Sequence, residues 1–489
     1  MSLSNITRGL LIAQLKKVLS KESLLQEPET MRPYECDGLS AYRQLPGVVC
    51  LPETVEQVQA VMRICYALKV PIVPRGAGTG LSGGALPDSA GVLLVLTKLN
   101  HILEIDTQNF CARIEPGVRN LALSDVTRPL GLYYAPDPSS QMACTIGGNV
   151  AENSGGVHCL KYGLTVHNVL GLKIITVEGE LLEIGGKTLD SSGYDLLALL
   201  CGSEGLLGVV VEVTVRLLPC PEYAQVLLAV FDDVAKAGSA VSHIIAAGII
   251  PAGLEMMDKL VIQAVEDFTH AGFPKHAHAI LLCEMDGAMA EVTEQISRVQ
   301  DIMLQSGAFE LRVAKDEAER ALFWKSRKSA FTALGRLSPD YYCMDGTIPR
   351  RSLATVLTRI AALSEAFNLP VANVFHAGDG NLHPLILYDA NREGDLKQTE
   401  RLGSQILELC VSVGGTITGE HGVGIEKLGG MCMQFTSSEL TQFLAVKTAF
   451  DEQGLLNPGK AIPTLHRCAE FGAMHVHQGQ LTFPELERY

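Results

Sequence analysis

The sequence predicts an α+β fold in two parts, and three observations carry that prediction. Three glycine-rich turns in the N-terminal half are joined by short apolar strands. From Val226 onward, strand-like runs alternate with amphipathic helical runs, the rhythm of a ferredoxin-like sheet with helices on one face. At 489 residues, 47% of them hydrophobic, the chain is too long for one ordinary core. Pro219-Cys-Pro221 is the expected boundary.

Composition excludes several function classes. Net charge is −15 with no basic run to offset it, which argues against a nucleic-acid surface. No apolar run approaches the ~18 residues of a membrane span. Leu10-Leu-Ile-Ala-Gln14 is short and followed by Lys16 and Lys17, so a surface helix is expected there, not a signal peptide. The 13 cysteines include no C-x-x-C pair, so the chain offers no iron–sulfur or zinc-ribbon pattern. Their odd number points to reduced thiols in a cytoplasm.

In chain order, residues 1–30 read as a polar, helical, peripheral cap. Thr54-Val-Glu-Gln57 is a capping-box pattern opening a helix with Val55, Val58, Val61, Met62, Cys65 and Leu68 at helical spacing. Val70-Pro-Ile-Val-Pro74 is a short strand running into the loop Pro74–Gly84, with glycines at 76, 78, 80, 83 and 84. Such backbone can converge its N–H groups on an anion, most often a phosphate. Gly78-Thr-Gly80-Leu-Ser-Gly83 also spells the G-x-G-x-x-G dinucleotide fingerprint. A Rossmann loop must open a helix. Here Pro87-Asp88 and the apolar strand Gly91–Leu96 follow, so that reading fails. A second glycine cluster spans Tyr134–Gly156, and a third, Gly202–Gly208, leads into the β run Val209–Leu218. Together they suggest backbone lining an extended cofactor.

In the second part, strands are expected at Val226–Phe231, Leu254–Met257, Ala279–Met285 and Phe309–Val313. Helices are expected near 233–247, 258–270, 288–305, 316–335, 352–367, 395–413 and 437–450. Val371–Tyr388 reads as two strands around a glycine-rich turn, a hairpin that would bring His376 and His383 together. Paired neutral imidazoles suit a metal, though two turn histidines bonding backbone is the plainer alternative. Gly414–Gly424 places Glu420 beside His421 between glycines. A carboxylate could complete a site of two histidines, leaving His421 as a base; a loop with two solvated polar residues is equally compatible. Arg327, in Phe323-Trp-Lys-Ser-Arg-Lys328, could fork onto a carboxylate or lie on the surface of a basic helix.

Six motifs in this order, residues 74–84, Gly147-Gly-Asn-Val-Ala-Glu-Asn153, Gly202-Ser-Glu-Gly205, His376-Ala-Gly-Asp-Gly-Asn-Leu-His383, Gly419-Glu-His-Gly422 and Asn457-Pro-Gly-Lys460, resemble the FAD-linked oxidases of the vanillyl-alcohol-oxidase (PCMH) type. Tyr34–Tyr42 and Pro463–His477 look most like the family's glycolate-oxidising members. The resemblance implies an N-terminal extension (1–45), an FAD-binding domain of two subdomains (46–221), a substrate and metal domain (222–464) and a tail for partner contact (465–489). It implies FAD on Arg75, Gly76, Ala77, Gly78, Thr79, Gly80, Leu81, Gly83 and Gly84. Pro136, Asp137, Ser140, Thr145, Gly147, Gly148, Asn149, Glu152, Gly205, Gly208 and Val209 would line the rest of the cofactor, with Asn457 and Lys460 approaching the ring system.

The resemblance further implies a divalent metal (zinc, manganese or iron) on His376, His383 and Glu420, His421 as base and Arg327 on the substrate carboxylate. A lysine that some relatives place before their Asp-x-x-x-Pro segment has no counterpart, because Cys343 and Met344 precede Asp345-Gly-Thr-Ile-Pro349. That fits a substrate with one carboxylate. The implied reaction is glycolate to glyoxylate, with hydride passing from Cα to flavin N5. The implied partners are a second FAD-binding subunit and an iron–sulfur subunit, placing the chain in the cytoplasm at the inner face of the membrane. The alternatives are a dehydrogenase for D-lactate or another D-2-hydroxyacid, and a flavin-binding assembly subunit without turnover of its own.

Covalent members of this family attach FAD through a histidine near the glycine loop, and no histidine occurs between residues 1 and 100. Acid precipitation is therefore expected to release the flavin into the supernatant; flavin retained in the pellet would refute dissociable binding.

Overall fold

A computed structural model of the chain describes residues 5–188 and 192–463, together with the backbone pairing of Val476–His477 with Gln480–Leu481. The tail expected as a partner contact otherwise lies outside the described residues. The chain folds as two units, each discontinuous in sequence. Met1–Gly155, Leu164–Cys220 and Glu420–Tyr489 form the first, and Gly156–Gly163 with Pro221–Gly419 form the second. Among the described residues, no helix is long and apolar enough to cross a membrane.

The first unit holds two main sheets. Strands β1 (Leu24–Leu25), β2 (Val48–Cys50), β3 (Ile72–Arg75) and β4 (Val92–Val95) form one, in the order β1-β2-β4-β3, with β2 and β3 parallel to β4. The helix Val55–Leu68 runs between β2 and β3. It starts where the Thr54 hydroxyl accepts the Gln57 N–H at 3.3 Å, and it buries Val58, Val61, Met62 and Cys65. No helix opens between β3 and β4, so the glycine loop lies in irregular backbone, as its sequence context requires. The expectation of a peripheral cap needs correction. Leu11 and Leu15, one turn apart on the helix Asn5–Leu15, and Leu19 in the turn after it enter the same core as Val58 and Met62, and β1 pairs with β2.

The next strands are β5 (Ile102–Asp106), β6 (Cys111–Ile114), β7 (Leu132–Tyr133), β8 (Val169–Ile175), β9 (Leu181–Gly185), β10 (Val209–Arg216) and β11 (Leu218–Pro219). Five of them make an antiparallel sheet in the order β5-β6-β10-β8-β9, while β7 pairs with β11. Strand β8 escapes a sequence reading because Gly171 and Lys173 interrupt its apolar run. Helix Ile146–Glu152, read as a glycine turn, is fixed by its ends: Thr145 Oγ1 accepts the Gly148 N–H at 3.3 Å, and Asn153 closes it at φ +55°.

In the second unit, β12 (Tyr223–Phe231), β13 (Gly253–Asp258), β14 (Ala279–Gly287), β15 (Glu310–Val313), β16 (Asp340–Cys343), β17 (Val371–His376) and β18 (Pro384–Tyr388) form one antiparallel sheet. Its order is β15-β12-β14-β13-β17-β18-β16. The helices expected between residues 233 and 413 form here, the one near 316–335 as two pieces, Glu317–Lys328 and Ala330–Leu334, whereas the one expected near 437–450 forms as Ser437–Phe450 in the first unit. The excursion Gly156–Gly163 is fastened to β14: a His158 ring nitrogen lies 3.2 Å from Glu284, and the Tyr162 hydroxyl donates to Asp286 at 2.7 Å.

Asp258 links a helix to the strand that carries His376. Its carboxylate accepts the Val261 N–H at 3.1 Å, capping helix Lys259–Thr269, and accepts the backbone and side-chain N–H groups of Asn373 on β17 at 2.7 and 2.9 Å. Asp258→Ala leaves these donors buried without a partner, so a loss of about 2 kcal/mol is expected in urea unfolding. A change below about 0.5 kcal/mol would show the link to be dispensable.

Candidate active site

Each unit carries one group of candidate residues. In the first, the three glycine clusters meet. A Cβ on Gly76 would collide with Thr145 Oγ1, so the first loop touches the second only because residue 76 is glycine. The third cluster contributes Glu204. Its buried carboxylate accepts the N–H groups of Val423 and Gly424, each at 2.7 Å, just past Glu420 and His421. The Ser82 carbonyl accepts from Ile425 and Glu426 at 3.0 and 3.1 Å. Glu420 itself accepts the Gly155 N–H at 2.9 Å.

Asn457 and Lys460 stitch this arrangement together. Asn457 Nδ2 donates to the carbonyls of Gly84 (2.9 Å) and Glu204 (2.7 Å). Lys460 Nζ donates to the Gly84 carbonyl and to Asn457 Oδ1, at 2.9 and 2.7 Å. Arg75 donates to the Cys36 carbonyl at 2.7 Å and lies over the Tyr34 ring. Burial and the neighbouring Glu204 charge push the Glu152 carboxyl well above the usual carboxylate range. Glu204 is raised less, because burial is opposed by its two backbone N–H donors.

In the second unit, β17 and β18 close as the hairpin the sequence predicts, pairing Val371 with Ile386 and Asn373 with Pro384. The His376 and His383 rings meet edge to face with centroids 5.1 Å apart. Register places Glu255 on β13 directly opposite His376. Glu255 Oε1 lies 2.8 Å from His376 Nδ1, and Oε2 lies 2.6 Å from Arg327 Nη2 as an ion-pair contact. Arg327 is 1% exposed, so it is not the surface arginine of a basic helix. Its Nε has no hydrogen-bond partner among the described residues. His383 Nδ1 faces the Met344 carbonyl at 3.4 Å. Asp345, fully buried, accepts the Thr418 hydroxyl at 2.6 Å and the Gly419 N–H at 3.0 Å, fixing the segment that immediately precedes Glu420.

Residues 46–185 match the family model "FAD binding domain", and residues 220–461 match "FAD linked oxidases, C-terminal domain". "Glycolate oxidase subunit GlcD" of Escherichia coli K12 is 62% identical, covering 100% of this chain and 98% of that one. The chain belongs to the FAD-linked oxidases. A "D-lactate dehydrogenase" of Anaerostipes hadrus is 32% identical over 92% of this chain and 96% of its own. The FAD-linked oxidase fold is also that of p-cresol methylhydroxylase, with a TM-score of 0.80 at 16% identity, covering 95% of this chain and 98% of that chain. Both this resemblance and the family models fit the PCMH-type α+β architecture.

This oxidase binds FAD, and the first unit has groups suited to hold it. Among the described residues, buried Ser82 Oγ, Asn149 Nδ2 and Glu152 Oε2 lack hydrogen-bond partners, and all three lie on or between the glycine clusters. Sequence reasoning missed Glu204, Glu255 and the carboxylate of Asp345. A signal for Glu255 was available: it is a lone carboxylate in the apolar run Leu254–Met257, and a charge in such a run is almost never buried unless paired.

Burial lowers the Lys460 pKa from 10.5 to about 7, against the opposing pull of Asp37 and Glu204. Between those values the unfolded chain holds a proton that the folded chain lacks, so this group makes stability rise with pH from about 7 toward 10. Thermal melts from pH 7 to 9.5 should show that rise in the parent oxidase and a flatter profile in Lys460→Met. Parallel profiles would refute the buried, proton-poor lysine.

Proposed function

We propose that the chain oxidises glycolate to glyoxylate, using FAD as the electron acceptor and a divalent metal on His376, His383 and Glu420. The observation that carries this reading is Arg327, a buried guanidinium in the unit that holds the imidazole pair, whose Nε–H has no hydrogen-bond partner among the described residues. A full-length relative, 62% identical, bears the name glycolate oxidase subunit. A buried donor of that kind calls for an anion, and the substrate carboxylate supplies one. The residues before Asp345 are Cys343 and Met344, which add no cation for a second carboxylate.

The donor set suits a Lewis-acid metal: two imidazoles and one carboxylate. Glu420 follows Gly419, whose N–H Asp345 holds, by a single peptide bond. Bound FAD supplies a two-electron acceptor, and a bound metal stabilises negative charge on the substrate oxygens. Arg327 binds and orients the carboxylate. His421 takes the proton from the substrate hydroxyl as hydride leaves Cα. The FAD is held without a covalent bond.

The chain carries no cluster-binding cysteine pattern, so its electrons leave the flavin for dioxygen, a soluble carrier or a partner, and the reading proposed here is a partner. The relative's name makes that protein one subunit of an assembly. Here the partners are a second FAD-binding subunit and an iron–sulfur subunit, held at the cytoplasmic face of the membrane.

Anaerobic stopped-flow mixing of the flavin-loaded chain with glycolate should bleach the flavin within one turnover, and a chelator should slow it. Bleaching by D-lactate with a higher kcat/KM would replace glycolate as the substrate. His421→Ala should keep its FAD and metal while flavin reduction slows by about 100-fold or more. Reduction at the parent rate would remove His421 as base.

A further inference from the structure

We infer that Glu255 is a positioning residue that serves both metal and substrate binding; this rests on the metal reading proposed above. A carboxylate that pairs with Arg327 can only accept from His376, so the proton of that ring sits on Nδ1. The tautomer is thereby set, and the ring presents Nε2 as its lone-pair donor. The other oxygen of the same carboxylate meets Arg327 Nη2. That ion-pair contact holds the guanidinium charge against Oε2, and neither Oε2 nor Arg327 Nε has a hydrogen-bond partner among the described residues. Glu255 is 1% exposed, so both contacts operate without competition from water.

The strand register makes this coupling unavoidable. Glu255 and His376 are direct cross-strand neighbours on β13 and β17. His383 gains the same orientation by a different route, with Nδ1 toward the Met344 carbonyl. A single carboxylate therefore lies against one imidazole and the carboxylate-binding arginine, while Nδ1 of the second imidazole faces the Met344 carbonyl, just past β16, at 3.4 Å and Asp345 Oδ1 at 3.9 Å. Outer carboxylates of this kind raise ligand basicity as well as fixing the ring.

Glu255→Gln tests the assignment. The amide has one acceptor oxygen for two donors, and its NH2 cannot pair with a guanidinium. Binding of Mn²⁺ and Zn²⁺, measured by competition with a chelating dye, should weaken about 10- to 100-fold. Flavin content, set by the first unit, should stay at the parent value. The rate of flavin reduction should fall and recover in part with excess Mn²⁺, while the KM for glycolate shifts several-fold and does not recover. Parent-like metal affinity and KM would overturn the inference. If Glu255→Gln fails to fold, Glu255→Asp keeps the charge at shorter reach, and parent-like metal affinity and KM there would overturn it equally. If the parent chain binds neither metal, the metal reading fails along with the His376 half of this inference, and the KM of Glu255→Gln alone decides the Arg327 half.

Discussion

Much of the first unit depends on one buried carboxylate. Glu204 accepts two backbone N–H groups from the segment after Glu420 and His421, and its own carbonyl accepts from Asn457. It does so at φ +50°, a left-handed backbone conformation that a residue with a Cβ adopts at a cost of order 1 kcal/mol. Two charge-assisted hydrogen bonds, about 1.5 kcal/mol or more each, offset that strain. The same carboxylate constrains its neighbour. Two acids in one low-dielectric place do not both ionise cheaply, and burial together with the Glu204 charge pushes the Glu152 carboxyl well above the usual carboxylate range.

The second unit repeats the device with different partners. Glu255 divides its oxygens between an imidazole and a guanidinium, and Asp345 accepts from Thr418 and Gly419. Each of these acids joins segments far apart in sequence, and each is buried enough that the alternative is an unpaired charge. Arrangements of this sort are rigid because any displacement strands a charge in the interior, at a cost of several kcal/mol. Rigid placement of that kind is what oriented acid–base chemistry requires.

Local chemistry explains what was legible in the sequence. Alternation along residues 371–388 is enough to pair His376 with His383, and helical spacing after Thr54 is enough to place the helix Val55–Leu68. The strand after the glycine loop is enough to reject a Rossmann unit. Arg327 was ambiguous because its helix reads as basic and exposed, and only closure against Glu255 on a distant strand buries it. Strand β16 was missed for a related reason. Asp340-Tyr-Tyr-Cys343 is too short to show a period, and its pairing with β18 is long-range. Asn457 and Lys460 were recognisable as a motif, but their hydrogen bonds to the Gly84 and Glu204 carbonyls follow only from the folded path.

The chain passes between its two units at residues 155, 163, 220 and 419. The family model "FAD linked oxidases, C-terminal domain" therefore spans residues of both units, because Glu420–Ala461 returns to the first. Strand β3 meets Leu456 by a parallel bridge, and the glycine loop is closed by Asn457 and Lys460. A gene fragment ending at Cys220 would encode every glycine cluster and still lack the residues that close them. Nor could recombination exchange one unit for a homologous one at a single crossover. The two units are inherited together, because the first is completed only by residues encoded after the second.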